Sequence, residues 1–241
     1  MGRKKLYEPG MAGPYRLSRS KVDLYRGCPR CFYLDRRLGI SRPPSFPFNL
    51  NSAVDELLKT EFDQYRAAGK PHPYMEKAGL DAIPFSHPDL DRWRFNFKGA
   101  AALCPGTPFE LFGAIDDVWI DNGTGELIIV DYKATSKNSE VSLDADWQIS
   151  YKRQMEFYQW LFRHNGFSVA NTGYFVYCNG DRKRGSFDAK LTFSVKMLPY
   201  EGDDAWVEPT VKELHQVLEA SDPPATAGNC DYCQFVRDAS R

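Results

Sequence analysis

Two pairs of cysteines at opposite ends of the chain place the strongest constraint on its fold. Cys28 and Cys31 form one C-x-x-C unit, and Cys230 and Cys233 form the other. In a cytosolic protein two such units more often hold a metal than form disulfides, because thiolates two residues apart can grip the same ion. Their separation departs from a compact zinc ribbon. The pattern therefore predicts one four-thiolate site that ties the chain ends together, and the spacing allows structural Zn²⁺ or a [4Fe–4S] cluster.

Composition and hydropathy predict a soluble, globular and cytoplasmic protein without a membrane partner. The 241 residues are 42% hydrophobic and 26% charged. No stretch approaches the roughly 18 consecutive apolar residues of a membrane span. The first residues also lack the apolar core of a signal peptide.

Charge is divided unevenly along the chain, although the formal net charge is only -1. Residues 1–42 contain 11 basic and three acidic side chains, a net charge of +8, so the remaining residues carry -9. This asymmetry suggests a segment that faces a polyanion, joined to a body whose carboxylates can bind cations. A solvated basic helix is the simpler alternative.

Hydrophobic periodicity predicts helices and strands around one mixed sheet. Residues 1–17 are predicted to be a flexible basic arm. The order after the arm is helix, helix, strands, helix, strands, helix. The predicted helices are 18–39, with a break near Pro29, 52–68, 147–164 and 209–220; the predicted strands are 93–98, 109–120, 126–132, 173–178 and 187–197.

Two polar motifs lie at one end of the hairpin predicted for residues 109–132. Asp131 and Lys133 point to the same side of a strand, with Tyr132 opposite, and the hairpin can bring Asp116 beside them. Two carboxylates and the Tyr132 carbonyl form the oxygen set that Mg²⁺ or Mn²⁺ prefers. A lysine there can orient water and stabilise phosphate charge. The simpler alternative is a hairpin that ends in solvated charges.

Three motifs occur in a characteristic order. Gly113-Ala114-Ile115-Asp116 is similar to a Gly-x-x-Asp metal motif, Asp131-Tyr132-Lys133 to an Asp-x-Lys motif, and Gln154 to Tyr158 to a Gln-x-x-x-Tyr motif. Together they resemble the PD-(D/E)xK nuclease superfamily, specifically its RecB-like branch, which includes CRISPR-associated iron–sulfur exonucleases. The resemblance covers roughly residues 18–235.

This resemblance implies a restriction-endonuclease-like α/β core, with a mixed central sheet flanked by helices. It implies a single nuclease domain over 18–241, in which 18–48 and 221–241 form a cysteine-ligated subdomain. The implied function is a Mg²⁺- or Mn²⁺-dependent DNA exonuclease or end-processing enzyme. The implied catalytic residues are Asp116, Asp131, Lys133, Gln154 and Tyr158, and the implied metal ligands are Asp55, Asp116, Asp131 and Tyr132.

Asp55 marks a departure from the family pattern. The family's first helix commonly reads Gly-x-x-x-His, whereas this chain reads Asn51-Ser52-Ala53-Val54-Asp55. An aspartate can ligate a hard cation, so catalysis is compatible with the change. Alternatively, Asp55 is a surface residue without a metal role. Asp117 alternates to the side opposite Asp116 and is predicted to be structural.

The resemblance also favours a [4Fe–4S] cluster over the alternative, Zn²⁺, because Cys28-Pro29-Arg30-Cys31-Phe32-Tyr33-Leu34 matches the family's N-terminal cysteine context. Such a centre would fix the basic segment beside the nuclease core and form a path for single-stranded DNA or duplex ends. Tyr25, Phe32 or Tyr33 could stack on bases, or could equally lie in the core. The predicted DNA-contacting residues are Arg19, Lys21, Arg26, Arg30, Arg36 and Arg37.

Two other functions remain open at this point. The chain could be a catalytically inactive DNA-binding module that keeps the nuclease fold, or a zinc-stabilised interaction protein. The resemblance implies protein partners in CRISPR adaptation or recombination, and the oligomeric state is not predicted. Cys104 and Cys178 are predicted to be a loop cysteine and a buried strand cysteine.

Overall fold

The computed structural model describes residues 5–11, 13–44, 49–183 and 185–239. Its strands and helices are interspersed along the chain, with runs of consecutive helices and of consecutive strands. The strands are β1 Tyr15–Ser18, β2 Ala82–Pro84, β3 Ala100–Leu103, β4 Phe109–Gly113, β5 Asp117–Asp121, β6 Leu127–Thr135, β7 Thr172–Gly180 and β8 Phe193–Glu201. The helices are α1 Arg19–Gly27, α2 Pro29–Arg37, α3 Asn49–Ala68, α4 Pro73–Lys77, α5 Leu90–Arg94, α6 Ile149–His164, α7 Val207–Glu219 and α8 Asp231–Ala239.

The chain divides into two compact units, each assembled from separate segments. The terminal unit comprises the described residues of Met1–Phe46, Ala101–Gly113 and Ala205–Arg241. The central unit comprises those of Pro47–Ala100 and Ala114–Asp204. The terminal unit therefore contains the described residues of the predicted cysteine-ligated segments, 18–44 and 221–239, and is larger than they are. Residues 45–48 and 240–241 of those segments lie outside the described residues.

The central unit is built on a five-stranded mixed sheet with the order β2-β5-β6-β7-β8. β6 pairs antiparallel with β5 and parallel with β7. Its apolar run, residues 127–130, is buried, as expected for a strand covered on both faces. Helices and this sheet form the predicted α/β core. Trp119 of β5 stacks on Phe62 of α3, with ring centroids 5.3 Å apart, which packs that helix against the sheet.

Gly173 of β7 permits the close approach of α6 to the sheet. A Cβ at this position would lie 2.9 Å from the carbonyl oxygen of Ile129 and would collide with the sulfur of Met155. Because α6 carries Gln154 and Tyr158, this contact helps to set the height of both side chains above the sheet.

The terminal unit contains a three-stranded sheet with the order β1-β4-β3, in which β1 and β4 run parallel. The prediction of a flexible arm is wrong for three of its residues, since Tyr7 and Tyr15 are 1% exposed and Leu17 is 0% exposed. Tyr7 donates a hydrogen bond to Glu219, and its ring meets that of Tyr15 edge-on at 5.4 Å. Aromatic burial therefore fixes this segment. Residues 1–4 and Ala12 of the predicted arm lie outside the described residues.

Three predicted strands differ from the structure. The predicted strand 187–197 begins later, since β8 starts at Phe193 and residues 187–192 lie outside it. Residues 93–98 do not form a strand, because Trp93 belongs to α5 and is buried, while Phe95 and Phe97 are exposed. The predicted strand 109–120 is divided into β4 and β5, which belong to different sheets. The interruption at residues 114–116 places Asp116 just outside regular pairing. None of the described helices is long and apolar enough to cross a membrane.

Candidate active site and metal centre

Asp116 lies immediately before β5 and is tied to the adjacent strand β6. Its Oδ2 atom accepts a hydrogen bond of 2.8 Å from the Tyr132 backbone N–H. Arg94 fixes the Asp116 backbone, because its Nε donates to the Asp116 carbonyl oxygen at 3.0 Å. The antiparallel pairing of β5 and β6 thus brings Asp116 to the level of Asp131 and Lys133, as the hairpin pattern predicted.

Asp131 and Lys133 form an ion pair on one side of β6. Burial raises the pKa of the Asp131 carboxyl group, which is fully buried, and Lys133 opposes that rise. Burial lowers the pKa of Lys133, but the negative charges of Asp131 and Asp116 have the larger effect, so the pKa of Lys133 is raised. The lysine is therefore held charged between two carboxylates.

The side chain of Gln154 on α6 reaches the same carboxylate. Its Nε2 donates to Asp131 Oδ1 at 2.7 Å and lies 3.4 Å from the Tyr158 hydroxyl. Gln154 and Tyr158 share one face of the helix because they are four residues apart. The three motifs of the sequence therefore meet at one place, where the amide fixes the orientation of a buried carboxylate.

Asp55 of α3 also lies in this site. Lys59, one turn further along α3, bridges two carboxylates, with its Nζ 2.6 Å from Asp55 Oδ2 and 3.6 Å from Asp116 Oδ1. Burial and the charge of Asp116 raise the pKa of Asp55. Asp55 Oδ1 is buried and has no hydrogen-bond partner among the described residues. This unsatisfied oxygen and the Asp116 carboxylate fit a hard divalent cation.

Asp117 has a different environment from Asp116. It is fully buried and accepts hydrogen bonds from Arg94 at 2.8 Å and from the Tyr132 hydroxyl at 2.7 Å. Arg66 also donates to this carboxylate. Two arginines thus compensate one buried charge, which agrees with the structural role expected from strand alternation.

Sequence reasoning missed Lys59, Arg94 and Tyr151. Lys59 was detectable, since an i, i+4 spacing from Asp55 predicts an ion pair on a helix. Arg94 was assigned to a strand that does not form. Tyr151 lies within the helix predicted for 147–164 without a predicted role, whereas its ring centroid lies 4.5 Å from the Lys133 Nζ.

The four paired cysteines come together in the terminal unit. All four are buried and free of disulfides, and their sulfur atoms lie within 4.8 Å of one another. Three of the sulfur pairs, Cys28 with Cys233 and Cys31 with both C-terminal cysteines, are 3.7 Å apart. Four thiolates around one tetrahedral zinc ion, at about 2.3 Å each, would be separated by about 3.8 Å. In a [4Fe–4S] cluster each cysteine binds a different iron, which requires a wider spacing.

Arg42 lies against this centre. Its Nη2 donates to the Cys230 sulfur at 3.2 Å, and its guanidinium carbon lies 4.6 Å from the centroid of the Tyr232 ring. The cationic side chain is therefore positioned to offset the negative charge that four thiolates bring to one ion.

The predicted DNA-contacting residues are largely engaged within the terminal unit. The structure contradicts the predicted DNA contact of Arg36. This side chain is buried and pairs with Asp35 at 2.6 Å, so its guanidinium is not available to a phosphate. Lys21 pairs with the same carboxylate at 2.9 Å. Three others bind neighbouring groups: Arg26 donates to Thr210, Arg30 to the carbonyl of Pro224 and Arg37 to that of Leu218. Arg19 is half-buried.

The predicted stacking residues of this segment lie in the core. Tyr25, Phe32 and Tyr33 are at most 9% exposed. Tyr25 and Phe32 pack edge-on at 5.5 Å, and the Tyr33 hydroxyl donates to the carbonyl of Ser221 at 3.0 Å. Their burial confirms the alternative interpretation, that these aromatics stabilise the unit rather than bind bases.

Comparison with known proteins supplies a family. The chain matches no curated protein. A solved structure described as "Crystal structure of SSO0001" is 13% identical and covers 94% of this chain and 86% of its own, with a TM-score of 0.38, too low to support an assignment by itself. The family model of the PD-(D/E)XK nuclease superfamily matches residues 49–237, which include the three motifs gathered around Asp131. The chain therefore belongs to the PD-(D/E)XK nuclease superfamily.

Proposed function

We propose that this nuclease-superfamily protein is a metal-dependent deoxyribonuclease of the RecB-like branch, acting as an exonuclease or at DNA ends. The observation that carries the proposal is the grouping of Asp116, Asp131 and Lys133 at one end of the central sheet, with Gln154 bonded to Asp131 at 2.7 Å. The Gln-x-x-x-Tyr spacing supports the RecB-like branch. Partners in CRISPR adaptation or recombination rest on that resemblance alone.

In this proposal the carboxylates of Asp55, Asp116 and Asp131, with the Tyr132 carbonyl, hold Mg²⁺ or Mn²⁺. The bound cation would supply a Lewis acid that lowers the pKa of a water molecule and stabilises phosphate charge. Gln154 keeps the Asp131 carboxylate in one orientation. Lys133 orients the attacking water and stabilises the charge that develops on the phosphate oxygens. Water adds to phosphorus and loses a proton to solvent, the bond to the leaving oxygen breaks, and that oxygen takes up a proton from solvent.

The test is a cleavage panel on single-stranded, blunt duplex and branched DNA, with Mg²⁺, Mn²⁺ or EDTA. We expect metal-dependent cleavage that requires an accessible end. Asp116→Ala should abolish it without changing the melting temperature by more than a few degrees. Lys133→Ala should also abolish it in a protein that still melts cooperatively, although the buried Asp131 then lacks its ammonium partner. Cleavage that persists in both variants would refute the assignment. An RNA panel run in parallel decides between the two nucleic acids.

One contact favours a second candidate, a DNA-binding module without catalysis. The Lys59 ammonium already compensates Asp55 and Asp116, the carboxylates that a metal would need. Under this alternative, the protein binds DNA in a salt-sensitive manner and cleaves none of the panel with either metal. Isothermal titration with Mn²⁺ separates the candidates, because only the nuclease requires a divalent site.

For the terminal unit, the sulfur spacing favours zinc over the iron–sulfur cluster that the resemblance suggested. The separation of 3.7 Å is that expected around a single tetrahedral ion. We expect one zinc per chain by elemental analysis and a colourless protein under anaerobic purification. A brown protein with four irons per chain would instead support a [4Fe–4S] cluster.

A further inference from the structure

An exposed tryptophan lies two contacts away from the candidate catalytic lysine. Trp147 belongs to the 3₁₀ turn Asp146–Gln148, and 53% of its surface is exposed. Its ring meets the Tyr151 ring edge-on, with centroids 5.3 Å apart. Tyr151 in turn lies 4.5 Å from the Lys133 Nζ. Trp147 is thus the surface end of a continuous path of contacts that begins in the candidate active site.

A second cation accompanies the tryptophan. The Nζ atom of Lys137 lies 5.3 Å from the centroid of the Trp147 ring. Among the described residues, no carboxylate forms an ion pair with Lys137. An exposed aromatic ring and an uncompensated ammonium group that lies over it therefore meet at the surface of the central unit.

Hydrogen bonds from two side-chain amides hold the backbone near Trp147 and Lys137 in place. The Asn179 side chain accepts from the Lys137 N–H at 2.8 Å and donates to the Lys137 carbonyl at 3.1 Å. Gln148, which is fully buried, donates to the Ser142 carbonyl at 2.7 Å and accepts from the Ala145 N–H at 3.0 Å. The surface that Trp147 and Lys137 form is therefore organised before any ligand binds, which lowers the entropic cost of binding.

This combination matches the chemistry of an unpaired nucleotide. A nucleobase presents a planar π-face to a tryptophan, and stacking of this kind contributes about 1–3 kcal/mol per base. A phosphate beside the base suits the ammonium group. Bases inside a duplex are already stacked on their neighbours and cannot offer the same face. A surface of this kind would therefore favour single-stranded over duplex DNA.

We propose that Trp147 and Lys137 form a binding site for one unpaired nucleotide of single-stranded DNA, with the base stacked on Trp147 and a phosphate at Lys137. This inference rests on the proposed function, since it names the form of DNA that approaches Lys133. Because Tyr151 contacts both Trp147 and Lys133, the bound nucleotide would lie next to the part of the DNA strand that enters the candidate active site.

The test compares oligonucleotides that differ only in the presence of bases. A thymidine oligonucleotide and an abasic oligonucleotide of equal length are titrated by fluorescence anisotropy against Asp116→Ala protein without added metal, so that cleavage does not interfere. Adding Trp147→Ala should weaken thymidine binding about tenfold, near the lower end of the stacking range. Binding of the abasic oligonucleotide should not change. Trp147→Phe should retain most of the affinity.

Phe187 provides a matched control, because it is another exposed aromatic side chain of the central unit. Phe187→Ala should leave both affinities unchanged, and thermal melting verifies that each variant is folded. Equal weakening of both oligonucleotides by Trp147→Ala, an unchanged thymidine affinity, or a parent protein that binds no single strand would each overturn the proposal.

The outcomes also separate this site from the proposed function. If the wild-type protein cleaves DNA with metal but Trp147→Ala loses no base-dependent affinity, the nucleotide site is refuted and the nuclease stands. If Trp147→Ala loses base-dependent affinity but the wild-type protein cleaves nothing, the nucleotide site stands and the nuclease is refuted.

Discussion

Asp116 and Asp117 are consecutive in the chain, yet their carboxylates occupy separate environments. Asp116 accepts from the Tyr132 backbone on the side of the sheet that faces Lys59. Asp117 is fully buried and accepts from Arg94 and from the Tyr132 hydroxyl. Strand alternation separates the two side chains, so one is placed for chemistry and the other for stability.

We expect opposite effects from removing these two carboxylates. Asp117→Ala leaves the buried guanidinium groups of Arg66 and Arg94 with only the partly exposed Asp63 as a shared carboxylate, which should lower the free energy of unfolding by about 3 kcal/mol. Asp116→Ala should change it by less than about 1 kcal/mol and should abolish cleavage. Urea denaturation and the cleavage assay measure the two effects. Equal destabilisation by both changes would contradict this division of roles.

Lys59 should compete with a divalent cation for the carboxylates of Asp55 and Asp116. Because its ammonium group lies 2.6 Å from Asp55, metal binding must displace it. Lys59→Met should therefore tighten Mn²⁺ binding about threefold, in keeping with the small energy of a partly exposed ion pair. Isothermal titration measures the dissociation constant. Lys190→Met, at an exposed lysine, is the control, and weaker Mn²⁺ binding in Lys59→Met would show that the lysine supports the metal site instead.

Arg42 should slow the loss of metal from the four-cysteine centre. Its hydrogen bond to the Cys230 sulfur stabilises thiolate charge, and removal of such a partner typically costs about 10–100-fold in metal affinity. We expect Arg42→Gln to release zinc to a chromogenic chelator at least about tenfold faster. Arg237→Gln is the matched control, since Arg237 binds Thr226 and Gln234 rather than a sulfur atom. Equal release rates in the two variants would exclude a role for the Arg42 contact.

Cys178 should resist alkylation in the folded protein at neutral pH. Burial raises the pKa of this thiol to about 11, and only the thiolate reacts. At pH 8 its thiolate fraction is about 0.001, so the rate should rise about tenfold per pH unit up to the pKa. Mass spectrometry of iodoacetamide adducts identifies the sites, and a Cys178 rate that does not depend on pH would contradict the prediction.

The motifs allowed much of the candidate site to be predicted, because each depends on short-range geometry. Alternation along β6 places Asp131 and Lys133 on one side, and the helical repeat places Gln154 and Tyr158 on one face. Local alternation was misleading at residues 93–98, where Trp93, Phe95 and Phe97 suggested a strand. There Trp93 packs in α5 against Phe162, with ring centroids 4.8 Å apart, and this tertiary contact outweighs the pattern.

The sequence by itself indicated the superfamily through the resemblance of its three motifs, and it indicated the α/β class, the motif residues of the candidate active site and the four cysteines that meet. The motifs, the helical and strand periodicity and the cysteine spacing are local properties of the chain. Only the tertiary structure decided that Lys59 bridges Asp55 and Asp116, that Arg36 is buried against Asp35, and that Trp147 is exposed beside Lys137. These contacts depend on how side chains pack once the backbone is fixed, because burial and charge compensation are set by neighbours distant in the sequence as well as by near ones.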